Sequence, residues 1–257
     1  MSSALDYEKI AHLYDSYLHF ENDLPFFLEE CQKTNGSVLE LTCGTGRISI
    51  PLLEAGVSLT CVDASPAMLE IFRQKIAGKS LDPAIILADM ADLQLDSKFD
   101  LVLLPFQSFH ELHTAAERER TLAGIYDCLN PDGRFICTLH NPKTRLEAIA
   151  RGTTEYGPFP RLDGSGSVRL SVALEYAADT GIVSGFQTIY ELDSGDRIIA
   201  EHRVSIRFSL IELEGFQTLL KSMNFSIETI YGNYDRSPLI TETSPYAIVC
   251  SCKWSMN

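Results

Sequence analysis

The sequence predicts an α/β fold, a mostly parallel sheet with helices on both faces that carries an antiparallel β-meander insertion. Short β-rich runs alternate with amphipathic stretches from Ser37 to His140, as crossover units on a parallel sheet do. Between residues 167 and 207 that pattern gives way to alternating strands separated by turn residues. A helix and two further strand-like runs close the chain. With 257 residues and 45% hydrophobic side chains, there is enough apolar surface for one elaborated core.

Residues 5–33 place Leu5, Ile10, Leu13, Tyr14, Tyr17, Leu18, Phe26, Phe27 and Leu28 at helical spacing, broken near Asp23-Leu24-Pro25, which predicts two leading helices. The alternating region then reads SVLELT, a helix from Arg47 to Ala55, SLTCVD, a helix from Pro66 to Gly78, AIILAD, FDLVLLPF, a helix from Ala115 to Leu129, and RFICTLH. Ser65-Pro66 supplies an N-cap with proline at the first helical position, and Pro131-Asp132-Gly133 is turn chemistry before a strand. Strands follow at roughly 167–177, 181–193 and 196–207, then a helix over 211–223 and strands near 225–231 and 246–253. The organisation expected is a helical cover (1–36), a core (37–143), a meander insertion (144–207) and a C-terminal helix with the last two sheet strands (208–257).

A formal charge of −14 and a pI near 4.8 disfavour nucleic-acid partners, whose binding rests on Lys and Arg neutralising phosphates. No apolar run approaches the ~20 residues of a membrane span, and MSSALDYEKI lacks the basic-then-apolar order of a signal peptide. The expectation is a cytoplasmic protein with no membrane partner, with monomer and homodimer both open. Seven cysteines fit neither a disulfide framework nor zinc ligation, because they sit singly on predicted elements, and Cys250 and Cys252, close together on one strand, lack the loop by which a CxxC pair grips a metal. They read as small buried hydrophobes of a reducing compartment.

The chemistry-bearing stretch is Leu39-Glu40-Leu41-Thr42-Cys43-Gly44-Thr45-Gly46-Arg47, after a strand and before a helix. Gly44 and Gly46 let the backbone turn tightly and approach a ligand. Asp63 ends the second strand, where an acid accepts hydrogen bonds from both ribose hydroxyls of an adenosine, and Asp89-Met90 ends the third. Taken singly, each aspartate is as readily a helix cap or solvated loop acid. Their placement at successive strand ends, where ligands of open α/β sheets bind, favours a site. Glu40 then separates two ligand classes: a dinucleotide pyrophosphate is repelled by a carboxylate beside the turn, whereas a cationic ligand is attracted.

These residues resemble the class I methyltransferases dependent on S-adenosylmethionine (SAM), from about Tyr7 to Asn141, and the later meander resembles the small-molecule branch that includes amino-sugar N-methyltransferases. The resemblance implies a Rossmann-like seven-stranded sheet and a fixed set of roles. Glu40 orients the methionine ammonium, Gly44 and Gly46 pass under the methionine, Asp63 holds the ribose with Ala64 and Met68 beside it, Asp89-Met90 meets the adenine, and Pro105-Phe106 lies at the methionine end. It also implies a Tyr-rich leading helix over the cofactor, with Tyr14 of Tyr14-Asp15 in contact. Thr42 departs from the family's usual glycine. The run Leu104-Pro105-Phe106-Gln107 lacks the Asn/Asp-Pro-Pro-aromatic tetrapeptide of enzymes acting on nucleobase or glutamine amides.

Tyr7, Tyr14 and Tyr17 also fit a packing stripe. His110, His113 and His140 are the general-base candidates, and His140, ending the fifth strand, stands nearest the expected acceptor. The meander, with Tyr231 to Asp235, is expected to wall and cover an acceptor pocket, Arg207 and Tyr234 approaching the substrate; dimerisation through the meander is the plainer alternative. The expected function is transfer of the SAM methyl to a nitrogen or oxygen of a small molecule, leaving S-adenosylhomocysteine, without a metal. A SAM-binding regulatory or assembly protein without turnover is one alternative, and a nucleotide-cofactor oxidoreductase is another.

Overall fold

The computed structural model describes residues 7–34 and 36–254; Leu5, the start of the leading helix in the sequence reading, lies outside them. Two helices, α1 (Tyr7–Tyr17) and α2 (Leu24–Lys33), precede β1 (Ser37–Leu41), α3 (Ser49–Glu54), β2 (Ser58–Asp63), α4 (Pro66–Ile76), β3 (Ala84–Leu87), β4 (Phe99–Leu104), α5 (Ala115–Cys128) and β5 (Leu129–His140). The chain continues through α6 (Pro142–Ala150), the strands β6 (Thr154–Pro160), β7 (Ser167–Ala177), β8 (Ile182–Leu192) and β9 (Ile198–Ser209), then α7 (Leu213–Ser222), β10 (Phe225–Tyr231) and β11 (Tyr246–Lys253). The seven-stranded sheet runs β10-β11-β5-β4-β1-β2-β3. Only β11 breaks the parallel order, pairing antiparallel with both β5 and β10. After β3 the chain recrosses to put β4 on the other side of β1, which creates a switch point at the carboxyl ends of β1 and β4.

Because β1 and β4 are buried on both faces, they are apolar at almost every position. On one face Leu39, Leu41, Val102 and Leu104 pack with Leu122 and Ile125 of α5 and Phe216 and Leu220 of α7. On the other, Val38, Leu101 and Leu103 pack with Phe26 and Phe27 of α2, Leu52 of α3 and Leu69 and Phe72 of α4. Glu40 is the exception in β1, an acid in an apolar strand at 1% exposure. The punctuation works locally: Ser65 Oγ accepts from the Met68 N–H at 3.2 Å, and Thr114 and Glu117 form a reciprocal capping box on α5.

The second sheet is antiparallel, in the order β6-β7-β8-β9. Its inner face packs in two places. Val168, Leu170, Ile189 and Val204 bury Ile10 and Leu13 of α1, and Val183, Ile206 and Phe208 bury Leu146 and Ile149 of α6. The helix α1 therefore rests on the meander, and Asp15 also ties it to the core by accepting from Thr45 Oγ1 at 2.6 Å and from Lys75 at 2.9 Å.

Two elements differ from the sequence reading by being absent from it. No residue of α6 is fully buried, so the helix has no apolar stripe to signal it. The exposed edge strand β6 contains Gly157-Pro158, residues that punctuate rather than build strands. The meander thus has four strands rather than three. Two boundaries also shift: α3 starts at Ser49, because Arg47 and Ile48 still belong to the turn, and β5 runs from Leu129 straight through the Pro131-Asp132-Gly133 turn, Asp132 taking φ 61°.

Candidate active site

A cavity of about 830 Å³ opens at the carboxyl ends of the central strands and continues beneath α1 to the inner face of the second sheet. That is ample for a small-molecule site. Its first wall is the turn after β1. Thr42 takes φ 57° and Gly44 φ 55°, and the space a Cβ on Gly44 would occupy holds no atom within 4 Å. A ligand can thus lie directly on the Gly44 backbone. Thr42, in the position where the family pattern has glycine, adopts the left-handed conformation despite its side chain, with Oγ1 3.0 Å from Ser108 Oγ.

Glu40 reaches this wall from below. Its Oε2 accepts from Ser49 Oγ at 2.6 Å, and burial, only partly offset by Ser49 and Arg47, pushes its pKa up to about 8. A buried carboxyl of this kind is suited to a cationic ligand group, which draws it into its charged form. Asp63, at the end of β2, accepts from the Gly44 N–H through Oδ2 and from the Ser65 N–H through Oδ1, both at 2.8 Å. Each oxygen keeps a second lone pair for a ligand hydroxyl. Asp89 caps a short 3-10 turn through Oδ1, 2.8 Å from the Ala91 N–H. Ala64, Met68, Met90, Pro105 and Phe106 line the same space. The backbone after β4 is strained there, with φ 54° at Phe106 and 61° at Gln107, neither a glycine.

From α1 the cavity receives Tyr7, Tyr14 and Tyr17, whose rings meet edge to face at centroid distances of 6.0 and 5.6 Å. Arg47 also lines it, but its charge is satisfied: Nη1 and Nη2 donate to the two oxygens of the fully buried Asp23, each at 2.7 Å. Its guanidinium lies 5.1 Å from the Phe106 ring centroid.

The far end is walled by His140, Arg145, Tyr156, Leu170, Val172, Gln187, Ile206 and Phe208. His110 Nε2 accepts the His140 backbone N–H, which leaves Nδ1 protonated to donate to the Ser209 carbonyl at 2.7 Å. Burial lowers the pKa of His110 to about 4 and holds that of His140 well below 6.5. Both rings are therefore neutral near pH 7.

Four residues named from the sequence stand elsewhere. Gly46 does not line the cavity; its φ of 84° and a Cβ position only 2.6 Å from the Phe72 ring show that it serves the packing of α4 under the turn. Arg207 is exposed, because strand alternation sends it to the face opposite Ile206 and Phe208. Tyr234 is 4% exposed within a cluster of Phe20, Phe26, Phe27 and Tyr246, and neither it nor the rest of Tyr231 to Asp235 lines the cavity. His113 also lies outside the cavity, its ring buried without a hydrogen-bond partner. Arg145 and Tyr156, which the sequence reading missed, belong to the unrecognised α6 and β6.

The cavity stands at the switch point of the sheet and is lined by acids from three neighbouring strands, Glu40, Asp63 and Asp89. A family model described as a methyltransferase domain matches residues 38–133. A putative methyltransferase of Bacillus subtilis, YqeM, is 30% identical over 142 residues, covering 52% of this chain and 56% of the relative. The chain thus spans about half the length of that curated relative. Among solved structures, a SAM-dependent methyltransferase from Clostridium acetobutylicum superposes with a TM-score of 0.82 at 18% identity, over 97% of this chain and 99% of the other. The sugar N-methyltransferase KedS8 from Streptoalloteichus gives 0.73 at 16% identity, over 97% and 93%. The resemblance drawn from Glu40, Asp63 and Asp89 is borne out, as is the seven-stranded fold.

Proposed function

We propose that this protein transfers the methyl group of SAM to a nitrogen or oxygen of a small-molecule acceptor. The observation that carries the reading is the convergence of Glu40, Asp63 and Asp89 on one cavity beside the open Gly44 backbone. Glu40 takes the ammonium, Asp63 the ribose hydroxyls with Ala64 and Met68 beside them, and Asp89 with Met90 the adenine. Tyr14 covers the cofactor from α1, and Pro105-Phe106 flanks its methionine end. Glu40 beside the turn, once ionised, repels a pyrophosphate, which argues against a dinucleotide.

When bound, SAM supplies a methyl on a sulfonium: the acceptor lone pair forms the new bond to carbon while the carbon–sulfur electrons leave with sulfur, giving S-adenosylhomocysteine. The protein's part is to orient and to exclude water, and orientation alone can supply ~7–11 kcal/mol of barrier lowering. His140 faces the acceptor end as a neutral imidazole that accepts a hydrogen bond from the acceptor's N–H or O–H. Its lowered pKa makes it a weak base, so the acceptor enters neutral. The meander forms the acceptor wall, and the likeness to a sugar N-methyltransferase supports a nitrogen on a small molecule. The seven free thiols, six of them buried, fit a reducing compartment such as the cytoplasm.

Calorimetry with S-adenosylhomocysteine and with NAD tests the cofactor, and the product of labelled SAM incubated with a metabolite extract tests turnover. Tight NAD binding without a response to S-adenosylhomocysteine overturns the proposal. Cofactor binding with no labelled product from any extract leaves the regulatory alternative as the better account.

A further inference from the structure

Two guanidinium groups line the cavity, and only one is neutralised. Arg47 is held by both oxygens of Asp23. Arg145, on α6, has no carboxylate and no side-chain hydrogen bond among the described residues, and its buried Nε lacks any partner. Its guanidinium carbon lies over a ring face, 5.4 Å from the centroid of Phe208. An unpaired, largely buried cation is costly in any protein. In a chain with 35 acidic and 21 basic residues, it is also the least expected kind of orphan.

The charges along the cavity are segregated. The acids that line it, Glu8, Glu40, Asp63, Asp89, Glu111 and Glu117, all come from elements before β5, with Arg47 held by Asp23 among them, whereas among the described residues after β5 that line the cavity the sole charged side chain is Arg145. Around it stand Tyr156, Leu170, Val172, Ile206 and Phe208, an apolar lining that excludes water and strengthens any charge pairing. The neighbouring imidazoles of His110 and His140 are neutral and do not supply a counter-charge. Burial lowers the pKa of Arg145 itself, with the Tyr156 and Tyr246 phenols the groups that act against that shift.

Resting on the methyltransferase reading, we infer that the acceptor carries an anionic group, a carboxylate or a phosphate, which Arg145 binds while an apolar part of the same molecule lies on Phe208 and Ile206. The anion anchors the acceptor at the end remote from the cofactor acids and leaves its nucleophile directed back toward His140 and the methyl donor.

The test uses the full chain saturated with S-adenosylhomocysteine and titrated calorimetrically with phenylacetate, phenyl phosphate and the neutral phenylacetamide, on the parent, Arg145→Gln and Arg145→Lys proteins. At least one anion is expected to bind the parent about tenfold or more tightly than the amide, the scale of one charge-assisted hydrogen bond. Arg145→Gln should bring that anion down to the level of the amide while the amide is unaffected, and Arg145→Lys should retain part of the preference. Whichever anion is preferred distinguishes carboxylate from phosphate. Equal binding of anions and amide, no binding of either anion, or an undiminished preference in Arg145→Gln overturns the inference. If S-adenosylhomocysteine itself does not bind, the cofactor reading fails separately, and the same titration of the unloaded protein still decides the role of Arg145.

Discussion

His110 Nε2 accepts the backbone N–H of His140 at 2.9 Å, and the two rings stack with centroids 5.1 Å apart. Through Nδ1, His110 also holds the carbonyl of Ser209. One buried side chain thus joins the turn after β4, the end of β5 and the end of β9, three segments that meet at the cavity. A histidine with both nitrogens committed is a strut rather than a base, and it fixes the place from which His140 faces the cavity.

His110→Ala should therefore act on stability. It strands a buried N–H and a buried carbonyl and leaves a void, a loss of about 1–3 kcal/mol from the hydrogen bonds alone. Thermal unfolding checks it, and an unchanged midpoint would show that the strut is dispensable.

Substitution of His140 separates hydrogen bonding from proton transfer. As the ring is neutral throughout the neutral range, kcat/KM should carry no acid limb from His140 near pH 6.5. His140→Gln, which can still accept a hydrogen bond, should keep more turnover than His140→Ala, with the pH profile unaltered in shape. A limb near pH 6.5 that vanishes in His140→Gln would show instead that the imidazole titrates as a base.

The half of the cavity proposed for the cofactor was legible in the sequence because it follows chain order. Each acid ends a strand, and strand ends of a parallel sheet converge wherever the chain recrosses. The half proposed for the acceptor follows no such order. Arg145 lies on a helix without a buried stripe, and Tyr156 on an edge strand containing proline. Arg207 was wrong by one position of strand parity, which a register shift cannot be told from without knowing which face is buried. Tyr234 resembles Tyr14 as a residue in an aromatic-rich segment, and only the three-dimensional neighbours distinguish the buried one from the one on the cavity.

Asp63→Ala removes the acceptor proposed for two ribose hydroxyls and also releases the Gly44 and Ser65 N–H groups. Cofactor affinity should fall by ~1–3 kcal/mol. S-adenosylhomocysteine titrated into folded protein, checked by circular dichroism, measures it; parental affinity would reduce Asp63 to a loop-bracing residue.

The two glycines of the turn should fail differently. Gly46→Ala drives a methyl against the Phe72 ring and strains a positive φ, so it should destabilise the fold by about 1–3 kcal/mol. Phe72→Leu should recover part of the loss in the double variant. Gly44→Ala meets no protein atom, and beyond the strain of its φ it should act chiefly on cofactor affinity. Equal effects of both substitutions on unfolding and on binding would contradict this division.

Glu40 supplies a pH dependence of definite sign. Its folded-state pKa of about 8 lies above the ordinary 4.5, so between those values the native protein binds a proton that the unfolded chain releases. Stability from this group is greatest below pH 4.5 and falls as pH rises toward 8. Glu40→Gln keeps a partner for Ser49 yet cannot ionise. The cofactor-free variant should therefore gain thermal stability over the parent at pH 8, and the gain should shrink toward pH 5. Binding reverses the benefit, because the ammonium of S-adenosylhomocysteine favours the carboxylate. For the parent near pH 7, binding should release close to one proton, read as a dependence of the calorimetric enthalpy on the ionisation enthalpy of the buffer, and affinity should rise with pH toward 8. In Glu40→Gln the affinity should be lower and both dependences should vanish. A proton release that persists in Glu40→Gln would assign the titration to another group and remove Glu40 from the ammonium site.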